Sequence, residues 1–549
     1  MVYSNTVTTL DPVEHRSIST VLRRQLAERP DQLAVRDYEQ DLTYRQLDER
    51  IRRVGGGFAA LGVKAGDTVL LMLDNHVDYI TTWLGLTTIG AVEVPVNTAY
   101  RGSLLSHIVN DSGAAVIVIE DSYLEQLSDI RGEIDHLHRV IVRGADSTLV
   151  EMHWTATEFG DLRLADPVLE AADSKPWDLM AIMYTSGTTG KSKGVLASHG
   201  LAYSYCALHW IEPGEVVMCN LPLFHVGGQW AGVYMALING GTSVIVPRFS
   251  ASGFWDDVYR FGCTQTLLLG AMASFLFAQP ARETDRGHAL RNVNMVPVLH
   301  NHEKFAQRYG VRIGTAYGMT ELSSTISMPY GSAIPGGTGW VRPDFAARLV
   351  DEHDFEVPSG TVGELVLRPH DPWAMMSGYH GLPDSTIEAW RGLWFHTGDA
   401  MIKDQNGCHH FVDRRSDALR VRGENISSFE VEREIAAHPS VMACAVVAVA
   451  SAHTEDDVKA VVVPIDGEEL GPEELLEFLV PRLPYFMVPR YIEIAQSLPT
   501  TPTQKIRKAE LRAAGVTGET WDREHAGYRV TKNGLQAPNS EPRRSQRNM

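Results

Sequence analysis

The sequence predicts an α/β protein built on largely parallel sheets, followed by a smaller α+β domain, and three observations carry that prediction. Short runs rich in Val, Ile and Leu alternate with longer segments of helical apolar spacing, the pattern of successive βαβ units. The chain has 549 residues, 44% of them hydrophobic, which is too long for one domain and ample for more than one core. A charged stretch without apolar periodicity, residues 414–417, separates the two patterns.

In chain order, residues 43–60 and 76–89 have helical spacing, whereas 69–73, 114–120, 242–247 and 265–269 have the length and composition of buried strands. Residues 179–184 form another strand-length apolar run that stops at a loop of glycines, hydroxyls and lysines. Beyond the charged stretch, 429–437 and 472–481 read as helices and 441–449 and 460–464 as strands. The expected domains are 1–415 and 416–530, with a polar tail, 531–549, whose composition is that of a disordered segment.

The loop is the most informative part of the chain. Residues 183–195 read Met-Tyr-Thr-Ser-Gly-Thr-Thr-Gly-Lys-Ser-Lys-Gly-Val. Gly187, Gly190 and Gly194 let backbone N–H groups converge, Thr185, Ser186, Thr188 and Thr189 add hydroxyls, and Lys191 and Lys193 add charge. Such a loop suits polyphosphate. It is not a Walker loop, because that pattern needs glycine five positions before Gly190 and the residue there is Thr185.

Bulk properties exclude several classes of function. A formal charge of −19 argues against nucleic acid and anionic membrane surfaces as partners. No apolar run approaches the roughly 20 residues of a membrane span, and residues 1–14 lack the features of a signal peptide, so a cytoplasmic location is expected. The five cysteines have no paired spacing. Cys408-His409-His410 reads as part of a polar hairpin rather than a metal site, since neighbouring strand side chains point to opposite faces. Oligomeric state, including a homodimer, is left open.

The loop resembles the signature of the adenylate-forming (AMP-binding) superfamily, and further motifs of that family follow in order. They are Tyr317-Gly318-Met319-Thr320-Glu321, Trp394-Phe395-His396-Thr397-Gly398-Asp399, Asp413-Arg414 with Arg422-Gly423-Glu424-Asn425, and Pro502-Thr503-Gln504-Lys505. The wording around Gly423 and Lys505 is similar to that of carnitine/crotonobetaine-CoA ligases. The resemblance implies a large N-terminal domain of stacked αβ layers and a small, mobile C-terminal domain that turns about a hinge at Ser416. It implies an acyl-CoA ligase: a carboxylic acid attacks the α-phosphate of ATP to give an acyl-adenylate and pyrophosphate, and the thiol of CoA then displaces AMP. A ligase specialised for the thioester half and a catalytically dead nucleotide- or acyl-binding protein are the alternatives.

Roles follow from the same resemblance. Residues 185–191 and Lys193 would cradle the phosphates, with Thr185 taking part in catalysis. Glu321 would hold Mg2+, and Tyr317, Gly318, Met319 and Thr320 would line the nucleotide, Tyr317 packing on adenine. Asp399 would accept the ribose hydroxyls and Arg414 would steady the ribose. Lys505 would bridge the carboxylate and the α-phosphate. His225 would gate the passage to CoA. Gly227, Gly228, Ala316 and Gly318 would line the acyl pocket, and Arg422, Gly423 and Glu424 would serve the thioester step. Trp230 among small residues suggests an acid with an apolar body.

Three places depart from the family. Its Gly-Gly-Ala-Pro-like adenine loop is replaced by Asn294-Met295-Val296-Pro297, Gln504 stands where glycine commonly precedes the lysine, and Ser416 occupies the hinge where relatives usually carry Asp or Lys. Either the backbone path at Met295 and Val296 is kept with side chains turned away, or ATP binding is altered and the chain uses an acyl-adenylate made elsewhere.

Overall fold

The computed structural model describes residues 10–144, 154–185, 192–208, 211–414, 419–421, 424–426, 428–451, 456–501, 506–531 and 534–538. The chain divides into two compact units, Met1–Arg348 with Val366–Thr397 and Asp404–His409, and Leu349–Leu365 with Gly398–Lys403 and His410–Met549.

Two sheets organise the first unit. One runs Thr155–Glu158, Arg139–Arg143, Val116–Glu120, Thr68–Met72, Val92–Pro95, Leu179–Thr185, Lys193–Ser198, parallel except for its last pair. The other contains, in hydrogen-bonded order, Gly337–Val341, Ser324–Met328, Arg312–Gly318, Asn292–Val296, Gln265–Leu269, Val216–Cys219, Thr242–Ile245 and Leu33–Arg36, with parallel pairing from Arg312–Gly318 to Leu33–Arg36. The strands expected from apolar runs all form.

The helix Val77–Thr87 is buried along its whole length, which a helix tolerates only when it is covered on every side. Its start is fixed by His76, whose ring accepts the Tyr79 N–H. Tyr44–Ala60 begins with a capping box in which Thr43 and Gln46 satisfy each other's backbone donors. Among the described residues no helix is long and apolar enough to cross a membrane.

In the second unit a four-stranded sheet runs Val441–Ala450, Asp456–Pro464, Tyr491–Ile494, Trp521–Asp522. Alternation along the first strand sends Val446 into a core with Val431, Ile435, Leu475 and Leu479. It sends Ala445, Val447 and Val449 into a second core with Leu511. Helices Ser428–Ala436 and Pro472–Leu479 therefore cover one face, and Lys508–Ala514 covers the other.

Candidate active site

Strands Leu179–Thr185 and Lys193–Ser198 pair antiparallel, with Tyr184 opposite Gly194 and Thr185 opposite Lys193. The phosphate-type loop thus springs from the top of a hairpin. Ser186, Gly187, Thr188, Thr189, Gly190 and Lys191 lie outside the described residues, but its base is well defined. The Thr185 hydroxyl donates to the Lys193 carbonyl at 3.4 Å. From the helix Gly102–Asp111, the His107 ring lies 3.0 Å from the Ser192 carbonyl and Asp111 accepts the Tyr184 hydroxyl at 2.6 Å. His107 and Asp111 are four residues apart, so they share one helix face. Gly194 is demanded by packing: a Cβ there would sit 2.7 Å from the Ile182 side chain.

Residues 375–380 connect this hairpin to the second motif. On one side Ser377 N–H donates to Leu196 O, Leu196 N–H to Gly378 O and His380 N–H to Gly194 O. On the other, Met376 N–H donates to the Glu321 carbonyl at 2.8 Å. Tyr379 completes the link with its side chain. Its hydroxyl donates to Glu321 Oε1 at 3.1 Å, and the Lys193 ammonium lies 4.9 Å from the centre of its ring. Burial, and then Glu321 beside it, pushes the phenol well above its usual range, so it stays a donor. Lys193 and Glu321, assigned to phosphate and metal from separate motifs, are brought to one tyrosine. Sequence reasoning missed Tyr379, as it missed His107 and Asp111.

Tyr317-Gly318-Met319-Thr320-Glu321 leaves the end of the strand Arg312–Gly318, which reverses into Ser324–Met328 with a register shift at Gly318. A Cβ on Gly318 would lie 2.8 Å from the Ser323 carbonyl, so only glycine permits this tight reversal. Ala316 and Tyr317 precede it on the strand, and Thr320 and Glu321 are buried beyond it.

The departure at Met295 lies in regular structure. The strand Asn292–Val296 continues through it, and the Met295 side chain is fully buried in the core with Leu268, Val293 and Tyr309. Its sulfur accepts the Leu299 N–H at 3.4 Å. The larger side chain is absorbed by the core. Val296 is half-buried at the strand end.

His225 caps a short turn, Val226–Gly228, its Nδ1 accepting the Gly227 N–H at 3.1 Å. A Cβ on Gly228 would fall 2.2 Å from the Pro222 carbonyl oxygen, so this turn is pressed against the preceding segment. A π-helical turn, Gln229–Tyr234, follows, an irregularity frequent at functional sites. Gln229 anchors it by donating to Glu93 Oε1 at 2.6 Å, and the Tyr79 hydroxyl donates to the same oxygen. Burial pushes the Glu93 carboxyl up to about 8. Trp230 is fully buried, edge-on to Tyr205.

In the second unit, Asp399 is buried in the strand Phe395–Lys403, and the Gly398 N–H donates to Glu364 at 3.1 Å. Arg414 closes the strand His409–Arg414, and Asp413 accepts the Ser428 N–H at 2.6 Å. Glu424 begins the strand Glu424–Ile426, paired with Leu419–Val421. Ser416, Arg422, Gly423 and Lys505 lie outside the described residues. Cys408 belongs to a hairpin turn in which Asp404 accepts the N–H groups of Asn406 and Cys408.

The pattern of the AMP-binding enzyme family matches residues 22–380, and that of the AMP-binding enzyme C-terminal domain matches 430–505. The chain belongs to the AMP-binding enzyme family. The crotonobetaine/carnitine–CoA ligase of Salmonella heidelberg (strain SL476) is 32% identical to this AMP-binding enzyme over 484 residues, 86% of this chain and 93% of that protein. Among solved structures, the anthranilate CoA ligase AuaEII in complex with anthranoyl-AMP superposes with a TM-score of 0.83 at 24% identity, covering 92% of this chain and 98% of that one. A benzoate CoA ligase from Burkholderia xenovorans LB400 gives 0.81 at 25% identity, covering 90% and 99%. ATP-bound MatB from Rhodopseudomonas palustris gives 0.79 at 26%, covering 90% and 98%. The adenylate-forming enzyme fold expected from the motifs is therefore the fold of this chain.

Proposed function

We propose a division of labour among these residues for one reaction. The chain is an ATP-dependent acyl-CoA ligase: it converts a carboxylic acid, ATP and CoA to acyl-CoA, AMP and pyrophosphate through an acyl-adenylate. The observation that carries the residue assignments is the meeting of Lys193 and Glu321 on Tyr379 at the base of the phosphate-type loop.

A carboxylate is a poor electrophile, and its attack on ATP brings anions together, so positioning and charge neutralisation do most of the work. Thr185, the loop 186–191 and Lys193 receive the β- and γ-phosphates. Oxygen donors are the right chemistry for a hard cation, and the buried Glu321 carboxylate, held by the Tyr379 hydroxyl, fits one. Glu321 would hold Mg2+, and the chemistry such an ion would supply is neutralisation of phosphate charge. Tyr317 packs on adenine, Met295 and Val296 offer backbone to it, Asp399 accepts the ribose hydroxyls and Arg414 steadies the sugar. Lys505 places its charge between substrate carboxylate and α-phosphate. After rotation about Ser416, the Arg422-Gly423-Glu424 segment takes its place for attack by the CoA thiol, with His225 at the passage and Gly227 and Gly228 against the acyl group.

A ligase restricted to the thioester half is not favoured. What speaks against it is the 32% identity to a crotonobetaine/carnitine–CoA ligase over 86% of the chain, and the burial of the Met295 side chain in the core agrees with a kept backbone path. The test is acid-dependent pyrophosphate release from Mg-ATP over fatty, aromatic and polycyclic carboxylic acids, with and without CoA. Release with at least one acid is expected. Silence across the panel, in folded protein that still turns a supplied acyl-adenylate and CoA into thioester, would overturn the two-step reading.

A further inference from the structure

Glu93 is an acid in a place without water. It lies on the strand Val92–Pro95 of the seven-stranded sheet, where all four residues are buried, and its own exposure is 1%. Among the described residues no cation pairs with it; its Oε1 takes the Gln229 carboxamide at 2.6 Å and the Tyr79 hydroxyl at 3.3 Å. A carboxylate buried without a counter-charge costs several kcal/mol, so the group keeps its proton instead. Burial accordingly holds it up at about 8. With two donors already on Oε1, the proton belongs on Oε2. Glu93 Oε2 is buried without a partner, and so is Gln229 Oε1. These two atoms belong to groups already joined by one bond, and both are oxygens, so a single proton between them satisfies both. A carboxylic acid and a primary amide complete each other in this way, N–H to acid carbonyl and O–H to amide carbonyl.

Gln229 opens the π-helical turn Gln229–Tyr234 directly after Gly228. Side chains from three neighbouring elements take up carbonyls of this segment. Cys219 Sγ donates to Gly228 O at 3.4 Å, Cys206 Sγ to Trp230 O at 3.2 Å and the Ser243 hydroxyl to Gly232 O at 2.8 Å. Cys219 and Ser243 lie on strands of the larger sheet, whereas Glu93 reaches the turn from the seven-stranded one. There is no slack between them: a Cβ on Gly228 would fall 2.2 Å from the Pro222 carbonyl oxygen, and one on Gly232 would fall 2.5 Å from Cys219 Sγ.

We propose that Glu93 and Gln229 form a neutral acid–amide pair, and that Glu93 is through it a positioning residue for the acyl-side wall, Gly227 to Trp230. The inference rests on the acyl role given above to Gly227 and Gly228. The test uses the full chain, with the acid that gives the most pyrophosphate release in the panel. At pH 7 and without substrate, the infrared difference between wild type and Glu93→Gln should contain the carbonyl band of a protonated carboxylic acid. The exchange variant, Glu93→Gln with Gln229→Glu, rebuilds the pair with its ends reversed, so it should retain that band and keep kcat/KM for the acid within threefold of wild type. Glu93→Leu should raise the KM for the acid at least fivefold. Gln229→Leu, which breaks the pair from the other side, should do the same. The KM for ATP is the internal control and should stay within twofold, because the pairing of Glu93 with Ala181 beside the phosphate-type loop is made by backbone.

Absence of a protonated-acid band would overturn the pair. A band accompanied by equal rises in both KM values, or by no rise in either, would make the pair merely structural and overturn the positioning role. Failure of the exchange variant to recover, in folded protein, would overturn that role too. Silence of the wild-type enzyme with every acid would overturn the functional reading and the positioning role with it, while the band, read without substrate, still decides the pair.

Discussion

Tyr379→Phe removes one oxygen from the centre of the site and leaves the ring. The lost interaction is a hydroxyl donating to a buried carboxylate at 3.1 Å, and hydrogen bonds to charged groups contribute about 1.5–3 kcal/mol. The ring still faces Lys193, so the cation–π contact is kept. If the hydroxyl aims Glu321 in the adenylation transition state, about 10- to 100-fold should be lost from kcat/KM for pyrophosphate release, since each 1.36 kcal/mol is tenfold. The thioester half, measured from supplied acyl-adenylate, should be unchanged. The phenol is pushed up by burial and by Glu321, so the ratio of wild type to variant should be flat from pH 6 to 9. The assay is coupled pyrophosphate detection with Mg2+ titrated at fixed ATP, alongside thermal unfolding. A variant within threefold of wild type at every Mg2+ concentration, with an unchanged thermal midpoint, would refute the reasoning. An equal loss in both half-reactions would refute it as well.

Three other outcomes are expected. Lys505→Ala should abolish acid-dependent pyrophosphate release while leaving conversion of acyl-adenylate and CoA to thioester within a few fold, read in the same two assays. Gly228→Ala forces a methyl to 2.2 Å from the Pro222 carbonyl, so thermal or denaturant unfolding should show a loss of about 1–3 kcal/mol, and the displaced His225 turn should slow thioester formation. Glu93→Gln should flatten the pH dependence of stability. The folded-state carboxyl is raised to about 8 by burial, so the folded protein holds a proton that the unfolded chain has released. Stability from this group is present below about pH 4.5 and lost at up to about 1.4 kcal/mol per pH unit as pH rises towards 8. Wild type and variant should diverge in thermal midpoint between pH 5 and 8, and parallel curves would count against the buried acid.

The parts of this molecule legible in the sequence were those whose cause is local. The run 179–184 had to be a buried strand because nothing in it could face water, and the glycines and hydroxyls after it could only be a loop. Residues 441–449 declared both faces of a sheet through unbroken apolar composition. Met295 was left open by the sequence, because a glycine-poor segment at a family glycine position reads equally as lost chemistry or as a kept backbone path; in the structure the backbone remains a strand and the side chain is buried in the core. Tyr379 and Lys508 were illegible for a different reason. Tyr379 acts on a carboxylate 58 positions earlier, and Lys508 on one that approaches from the opposite face of a sheet. In the sequence each is only a tyrosine after glycine or a lysine opening a helix, and neither residue type by itself names a partner: lysines are mostly exposed and tyrosines intermediate in burial. What gives them meaning is long-range packing: parallel strands bring the ends of distant segments to one edge, where a single ring or ammonium can hold groups that the sequence assigns to separate motifs. Substitution of a connecting residue such as Tyr379 should therefore uncouple half-reactions more readily than it unfolds the chain.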